Sequence, residues 1–530
     1  MIKIINANII DGTKNKAYMG SLLIDNQKIV KVSKDNLDSI DCETIDAKGK
    51  YVTPGFIDIH RHADVGIFKD DFGKAELSQG ITTIVNGNCG LSVAPAPLKY
   101  KQDINNYIKP IVGSIPENKD FTTFSNYLNE IERQGSLLNL GFCVGNGTLR
   151  MSSTGFSASK LRDIDKEVVK QNLKEALDAG ALGVTMGLAY IPENNYSFEE
   201  LVEVLSPMKN RGIPLSTHIR GEGNILVKAI DEVCRLAVEL NVPLNVSHFK
   251  AVGKQNWGKH LDESIAILQE TGTKIRVTCD VYPYLAGSSL LAQVLPPWVQ
   301  DGGTTKAIER LKDKELRKKI TQELSISQTE YENIIYSIGW ESILLTGMPS
   351  IKNQKYIGKT IQEIADEENK DPFEVAYDLL VEEKFNVSMV DFIMCQEDVT
   401  KVMKLNNSSI ISDSLYTDGG KPHPRVYGAF SEFLEKYIKE KKIMSIEEAI
   451  YKLTYHPASV YNLLNKGLIK EGYDADICIF DLENIKANAT YQDPIKYSTG
   501  MDYVFVNGEL VYNNGVISNN KCGKILRKMK

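Results

Sequence analysis

Eight short apolar runs, most of them separated by stretches with helical periodicity, constrain this chain more than any other feature. They read GFIDIH, ITTIVNG, NLGFCVG, ALGVTMG, PLSTHI, PLNVSH, IRVTCDVY and SSIISD. Such runs are apolar almost throughout, unlike strands with one solvated face. Continuous apolar strands belong to parallel sheets covered by helices on their faces. Between them, KEVVKQNLKEALDAG, SFEELVEVLSPMKNRG, ILVKAIDEVCRLAVELN and LDESIAILQETG repeat apolar residues at helical spacing. The pattern predicts an α/β chain built on a closed (β/α)8 barrel, whose functional groups gather at the C-terminal strand ends.

The two ends of the chain read differently. KIINANII, DGTKN and SLLIDNQKIVKVS near the start, and ADICIFDL and MDYVFVNGELVYNNGVI near the end, carry strand and hairpin signals. We expect residues 1–53 and 462–530 to form one small β-sandwich, with the barrel over 54–461 inserted between them. Residues 286–345, with PPWVQDGG, DKELRKKITQEL and SIGW, are too long for a simple connection and are expected as an insertion over the barrel mouth.

Composition excludes several classes. With 42% hydrophobic and 25% charged residues, a disordered chain is excluded. No stretch approaches the roughly 18 apolar residues of a spanning helix. A net charge of −7 argues against nucleic acid or an anionic membrane as partner. The basic tail from Lys521 to Lys530 is expected to be solvated. The eight cysteines are scattered without a CxxC, and MIKIINANIIDGTKN lacks the features of a secretory leader. A reduced, cytoplasmic protein is the expectation; the sequence leaves the oligomeric state open.

Three of the runs carry histidine at or next to their last residue. His60 closes the first and His62 follows at i+2, which in a strand points to the same side. The fifth carries His218 next to its last residue, and His248 closes the sixth. One such histidine is usually a satisfied polar residue, but four at one end of a barrel point to metal ligation. Cys89 lies just past the second strand and would add a soft thiolate suited to zinc. Asp413 ends the eighth strand, where it could take a proton from a metal-activated water and return it to a leaving group.

These residues resemble those of the amidohydrolase superfamily, and within it the D-aminoacylase (N-acyl-D-amino-acid deacylase) family. The resemblance runs through most of the chain: PGFIDIHRHAD, QGITTIVNGNCGLSVAP, GALGVTMGLAYIPENNYS, THIRGEGN, VSHFKAVGKQNWGK, DVYPYLAGSS, ISDSLYTDGGKPHPRVYGAF and LTYHPASVYNL. It implies zinc-dependent hydrolysis of N-acyl-D-amino acids to a carboxylate and a free D-amino acid, with a metal-held hydroxide attacking the amide carbonyl. It implies that Cys89, His218 and His248 hold a tight Zn2+, that His60 and His62 hold a second, weaker metal, and that Asp413 is the general base and acid. It also implies that Lys250, Tyr282 and Arg425 bind the substrate carboxylate.

Three positions depart from the family's usual pattern. Asn146 stands where histidine is frequent, Arg61 where a small residue is usual, and Ser414 where glycine usually follows the aspartate. Asp64 could orient a ligand histidine from behind. His423 could support the site or serve structure alone, and His260 and His456 read as structural. Three other readings compete. A dipeptidase acting on D-residues would use the same chemistry. A hydantoinase-like or dihydroorotase-like cyclic-amide hydrolase commonly needs a bridging carboxylated lysine, which ALGVTMG lacks. An inactive scaffold would be expected to have lost metal ligands.

Overall fold

The computed structural model describes residues 1–35, 37–157, 160–416 and 420–528. Each of the eight apolar runs supplies a barrel strand: β1 (Phe56–Asp58), β2 (Ile81–Asn86), β3 (Asn139–Phe142, continued by Val144–Gly145), β4 (Val184–Gly187), β5 (Leu215–His218), β6 (Leu244–Val246), β7 (Val277–Val281) and β8 (Ser408–Ile410). Successive pairs are parallel from β1 through to β8. At the mouth the ring closes through Ser414–Leu415, which pairs with Arg61–His62 just beyond β1.

The helices between strands bury one face, as their periodicity predicts. Leu226–Leu240 buries Leu226, Ala229, Ile230, Val233 and Ala237, the i, i+3, i+4 stripe of a helix against a sheet. A capping box of Ser197 and Glu200 starts Phe198–Val204. The box fixes where that helix begins, beyond the tip of β4.

Strands from both chain ends share one nine-stranded sheet. Its joint is Ile477–Phe480, antiparallel to Tyr51–Pro54. Ile4, Ile9, Leu22, Ile24, Val52, Ile477, Ile479 and Phe505 form its apolar core.

Beyond β7 a three-stranded antiparallel sheet joins Ala286–Leu290, Ile343–Gly347 and Ser388–Phe392. Its apolar cluster runs from Leu291 to Met389 around Trp340 and Tyr377. The sheet and its core therefore continue past residue 345 to residue 392.

The basic tail keeps Lys521, Lys524 and Arg527 exposed, as expected, but its backbone is held; Met529 and Lys530 lie outside the described residues. Ile525–Leu526 pairs in parallel with β3 at Leu140 and Gly141. Lys521 Nζ donates to Gln134 O at 2.8 Å, and Arg527 pairs with Glu132 at 2.6 Å. The pairing is made by backbone groups, so its charged side chains could not announce it. Among the described residues, no helix is long and apolar enough to cross a membrane.

Candidate active site

The C-terminal ends of the strands bring the four histidines, Cys89 and Asp413 to one place. Cys89 Sγ lies 3.2 Å from His60 Nε2 and 3.5 Å from His248 Nε2. His218 Nδ1 lies 2.8 Å from His248 Nε2. Asp413 Oδ1 stands 3.4 Å from His60 Nε2 and 3.3 Å from His62 Nε2. Cys89, His248 and Asp413 hold left-handed backbone at φ 53°, 36° and 51°. Such conformations are costly for these residue types and persist where the surroundings enforce them. For Asp413 that enforcement includes its amide, which donates to His60 O at 2.9 Å.

Three overlapping groups of donors could each hold a metal: His60, Cys89 and His248; His60, His62 and Asp413; His218, Glu222 and His248. Within each group the ligand atoms lie within 4.8 Å of one another. Cys89 and His218 thus share His248 without entering one group together. The donor set, imidazole with one thiol and carboxylates, fits a borderline divalent ion such as zinc. Burial, with neighbouring charges, holds His62, His218 and His248 below the ordinary imidazole range, which keeps them neutral and ready to ligate. Burial also opposes the charged form of His60, but Cys89, Asp280 and Asp413 raise it well above that range. Burial pushes the Cys89 thiol up. Against its own burial, Asp413 is held well below the carboxylate range by Arg425 and His60.

The three residues expected at the substrate carboxylate also meet. The Arg425 guanidinium carbon lies 4.9 Å and Lys250 Nζ 5.7 Å from the Tyr282 ring centre. Neither cation is idle. Arg425 Nη1 lies 2.9 Å from Asp413 Oδ2, and Lys250 Nζ donates to Glu222 Oε1 at 2.6 Å. All of these candidates except His60 line one cavity of about 610 Å3, whose outer wall is the inserted unit.

Two residues that sequence reasoning passed over sit among them. Glu222 Oε1 lies 2.9 Å from His248 Nδ1 as well as on Lys250. Asp280 accepts from the His248 amide at 2.6 Å and lies 3.4 Å from His60 Nδ1. Their signals were a carboxylate four residues past His218, in RGEGN, and one inside the apolar run of β7.

The departures have structural accounts. Asn146 does not line the cavity; its amide donates to Glu193 Oε1 at 2.9 Å. Glu193, which burial raises to about 7, accepts from the Gly187 amide at 2.8 Å. A side chain at Gly187 would start 2.2 Å from Cys89 O, so this pair holds a strand end against the Cys89 loop. Arg61 is fully buried, and its guanidinium serves Tyr416, Asp58, Ser412, Glu76 and Val426 O. Ser414 Oγ donates to Ser412 Oγ at 2.8 Å. Thr417–Gly419 of the same motif lie outside the described residues.

Asp64 contacts Gly87 rather than a histidine, and burial raises its carboxyl to about 7. His423 accepts from the Arg425 amide at 3.0 Å, and its Nε2 lies 3.2 Å from Ala286 O; it ties the Arg425 helix to the inserted sheet. His456 pairs with Ser409 at 2.7 Å, remote from the cavity.

Known proteins resemble this chain in sequence and in fold. The model of the amidohydrolase family matches residues 43–111 and 359–512. The D-aminoacylase of Alcaligenes xylosoxydans xylosoxydans is 27% identical, over 98% of this chain and 96% of that protein. Along nearly its whole length the chain resembles the D-aminoacylases of the amidohydrolases. The N-acyl-D-aspartate deacylase of the same organism is 29% identical to this amidohydrolase, over 99% of this chain and 94% of the relative. The crystal structure of N-acyl-D-glutamate deacylase from Bordetella bronchiseptica, complexed with zinc and a phosphonate inhibitor, matches it with a TM-score of 0.82 and 26% identity over 99% of both chains.

Proposed function

We propose that this amidohydrolase hydrolyses N-acyl-D-amino acids to a carboxylate and a free D-amino acid. Cys89, His218 and His248 would hold the tighter ion, and His60 and His62 a second, with zinc as the metal in both cases. When bound, zinc acidifies water and polarises a carbonyl. Asp413 takes a proton from the attacking water at Oδ1 and returns it to the leaving nitrogen. Lys250, Tyr282 and Arg425 hold the substrate carboxylate, because a guanidinium forks onto it while an ammonium and a phenol each add a hydrogen bond.

The observation that carries this reading is the position of Asp413. One carboxylate oxygen faces His60 and His62, and the other is held by Arg425. The proton-transfer group thus stands between the metal donors and the carboxylate-binding side chains, where a scissile amide joined to an α-carboxylate would lie. The deciding experiment incubates zinc-loaded protein with N-acetyl-D-amino acids in 18O-water. The reading expects the label in acetate and a loss of turnover on chelation that zinc restores. Turnover that survives full chelation would overturn it.

A further inference from the structure

The titratable carboxyls and cations that the inserted unit could place on the cavity wall are all of one kind, acidic. Asp301, Glu323, Glu330, Glu332 and Asp391 line it, and no lysine or arginine from that unit does. Of the cations elsewhere in the wall, Lys250 and Arg425 are the two assigned to the substrate's α-carboxylate, and Arg220 is held by both oxygens of Glu232. Glu323 is satisfied by Trp298 Nε1 at 3.0 Å and Tyr331 Oη at 2.9 Å.

Asp391 and Glu332 are not satisfied in this way. Asp391 is only 5% exposed, and its Oδ1 has no hydrogen-bond partner among the described residues. It stands over Gly287, where a Cβ would come within 2.6 Å of that oxygen. Glu332 Oε2 accepts from the Glu222 amide at 2.8 Å, while its Oε1 is buried with no partner. A buried carboxylate oxygen without a donor is costly, and a ligand that brings the donor recovers that cost. Both carboxyls line the same cavity as Lys250, Tyr282 and Arg425, the side chains assigned to the substrate carboxylate. Burial raises Asp391 to about 6 and Glu332 to about 8, so a cation brought to them is what would hold both ionised.

We propose that Asp391 and Glu332 form a cation subsite for the substrate's side chain, making the preferred substrate an N-acyl-D-amino acid with a terminal ammonium or guanidinium. The inference rests on the deacylase reading above. An acidic side chain would meet the same wall with Lys250 and Arg425 taken by the α-carboxylate and Arg220 held by Glu232, and is selected against.

The test uses the zinc-loaded full chain and compares kcat/KM for Nα-acetyl-D-lysine, N-acetyl-D-norleucine and N-acetyl-D-glutamate. Norleucine keeps the aliphatic stem and lacks the charge. Lysine should exceed norleucine by roughly 10- to 100-fold, the ratio that one charge-assisted hydrogen bond carries. Glutamate should fall below both. Asp391→Asn and Glu332→Gln should each lower the lysine-to-norleucine ratio by roughly tenfold, with turnover of norleucine reporting folding and metal loading. Norleucine equal to or better than lysine, or a ratio unchanged in both variants, overturns the subsite while leaving the deacylase reading intact. Release from none of the D-substrates overturns both.

Discussion

Asp413 Oδ2 lies 2.9 Å from Arg425 Nη1, and both side chains are buried at the barrel mouth. The contact joins the end of β8 to the first residue of the helix Arg425–Glu432. It keeps the carboxylate ionised and leaves Oδ1 turned toward His60 and His62. In the proposed function this fixes the direction of the proton acceptor before substrate arrives, as general base catalysis would require.

Replacing that carboxylate by its amide tests the role. Asp413→Asn should keep bound metal and lose turnover by about 10^2- to 10^4-fold, the range for a removed general base. Steady-state kinetics with metal analysis on the same sample decides it. Near-normal kcat in the variant would end the assignment.

Cys89 can be separated from the histidines in the same way. Cys89→Ala should fold, since a small buried side chain remains, yet purify with less zinc than the parent chain. Soft thiolate ligation makes the difference, because four histidines still line the site. Elemental analysis after dialysis is the readout, and unchanged zinc content would remove Cys89 from the ligand set.

Arg61 should matter for stability more than its surface-type residue class suggests. It neutralises Asp58 and Glu76 inside the protein and reaches Ser412, next to Asp413. Arg61→Met strands two buried carboxylates, and breaking such a pair costs about 3–5 kcal/mol. Adding Glu76→Gln should recover part of the loss. Urea unfolding of the single and double variants measures both numbers.

The acid side of the stability profile should depend on His456. Burial, followed by nearby Lys452, holds its imidazole down at about 3. An unfolded chain protonates the same group below about 6.5. Between those values the unfolded state binds the extra proton, so stability falls as pH falls and levels off near the lower value. From pH 6.5 to 5 the contribution is about 2 kcal/mol. His456→Gln should flatten that part of the curve relative to the parent chain. An identical slope in both proteins would contradict the burial account.

Much of this site was legible before any coordinates. His60, His218, His248 and Asp413 each lie at or next to the end of an apolar run, and parallel strands in a barrel bring such ends together by construction. Cys89 follows its strand closely enough to be carried to the same rim. Glu222 was hidden because it sits in the loop RGEGN, where no periodicity says which way a side chain returns. Asp280 was hidden inside a strand, where facing depends on the barrel's closure. The C-terminal strand and the extension of the inserted sheet to Phe392 rest on pairing between distant segments, through backbone groups that every sequence possesses. Arg61 and Asn146 read as departures from a pattern; only packing shows one neutralising buried acids and the other bracing the Cys89 loop.

The most direct test of the central claim is the ratio of kcat/KM for the D- and L-enantiomers of N-acetyl-amino acids, measured on zinc-loaded protein across neutral, acidic and basic side chains. The account predicts release of free amino acid from the D-series alone. Equal release from both series, or release from the L-series only, would contradict it.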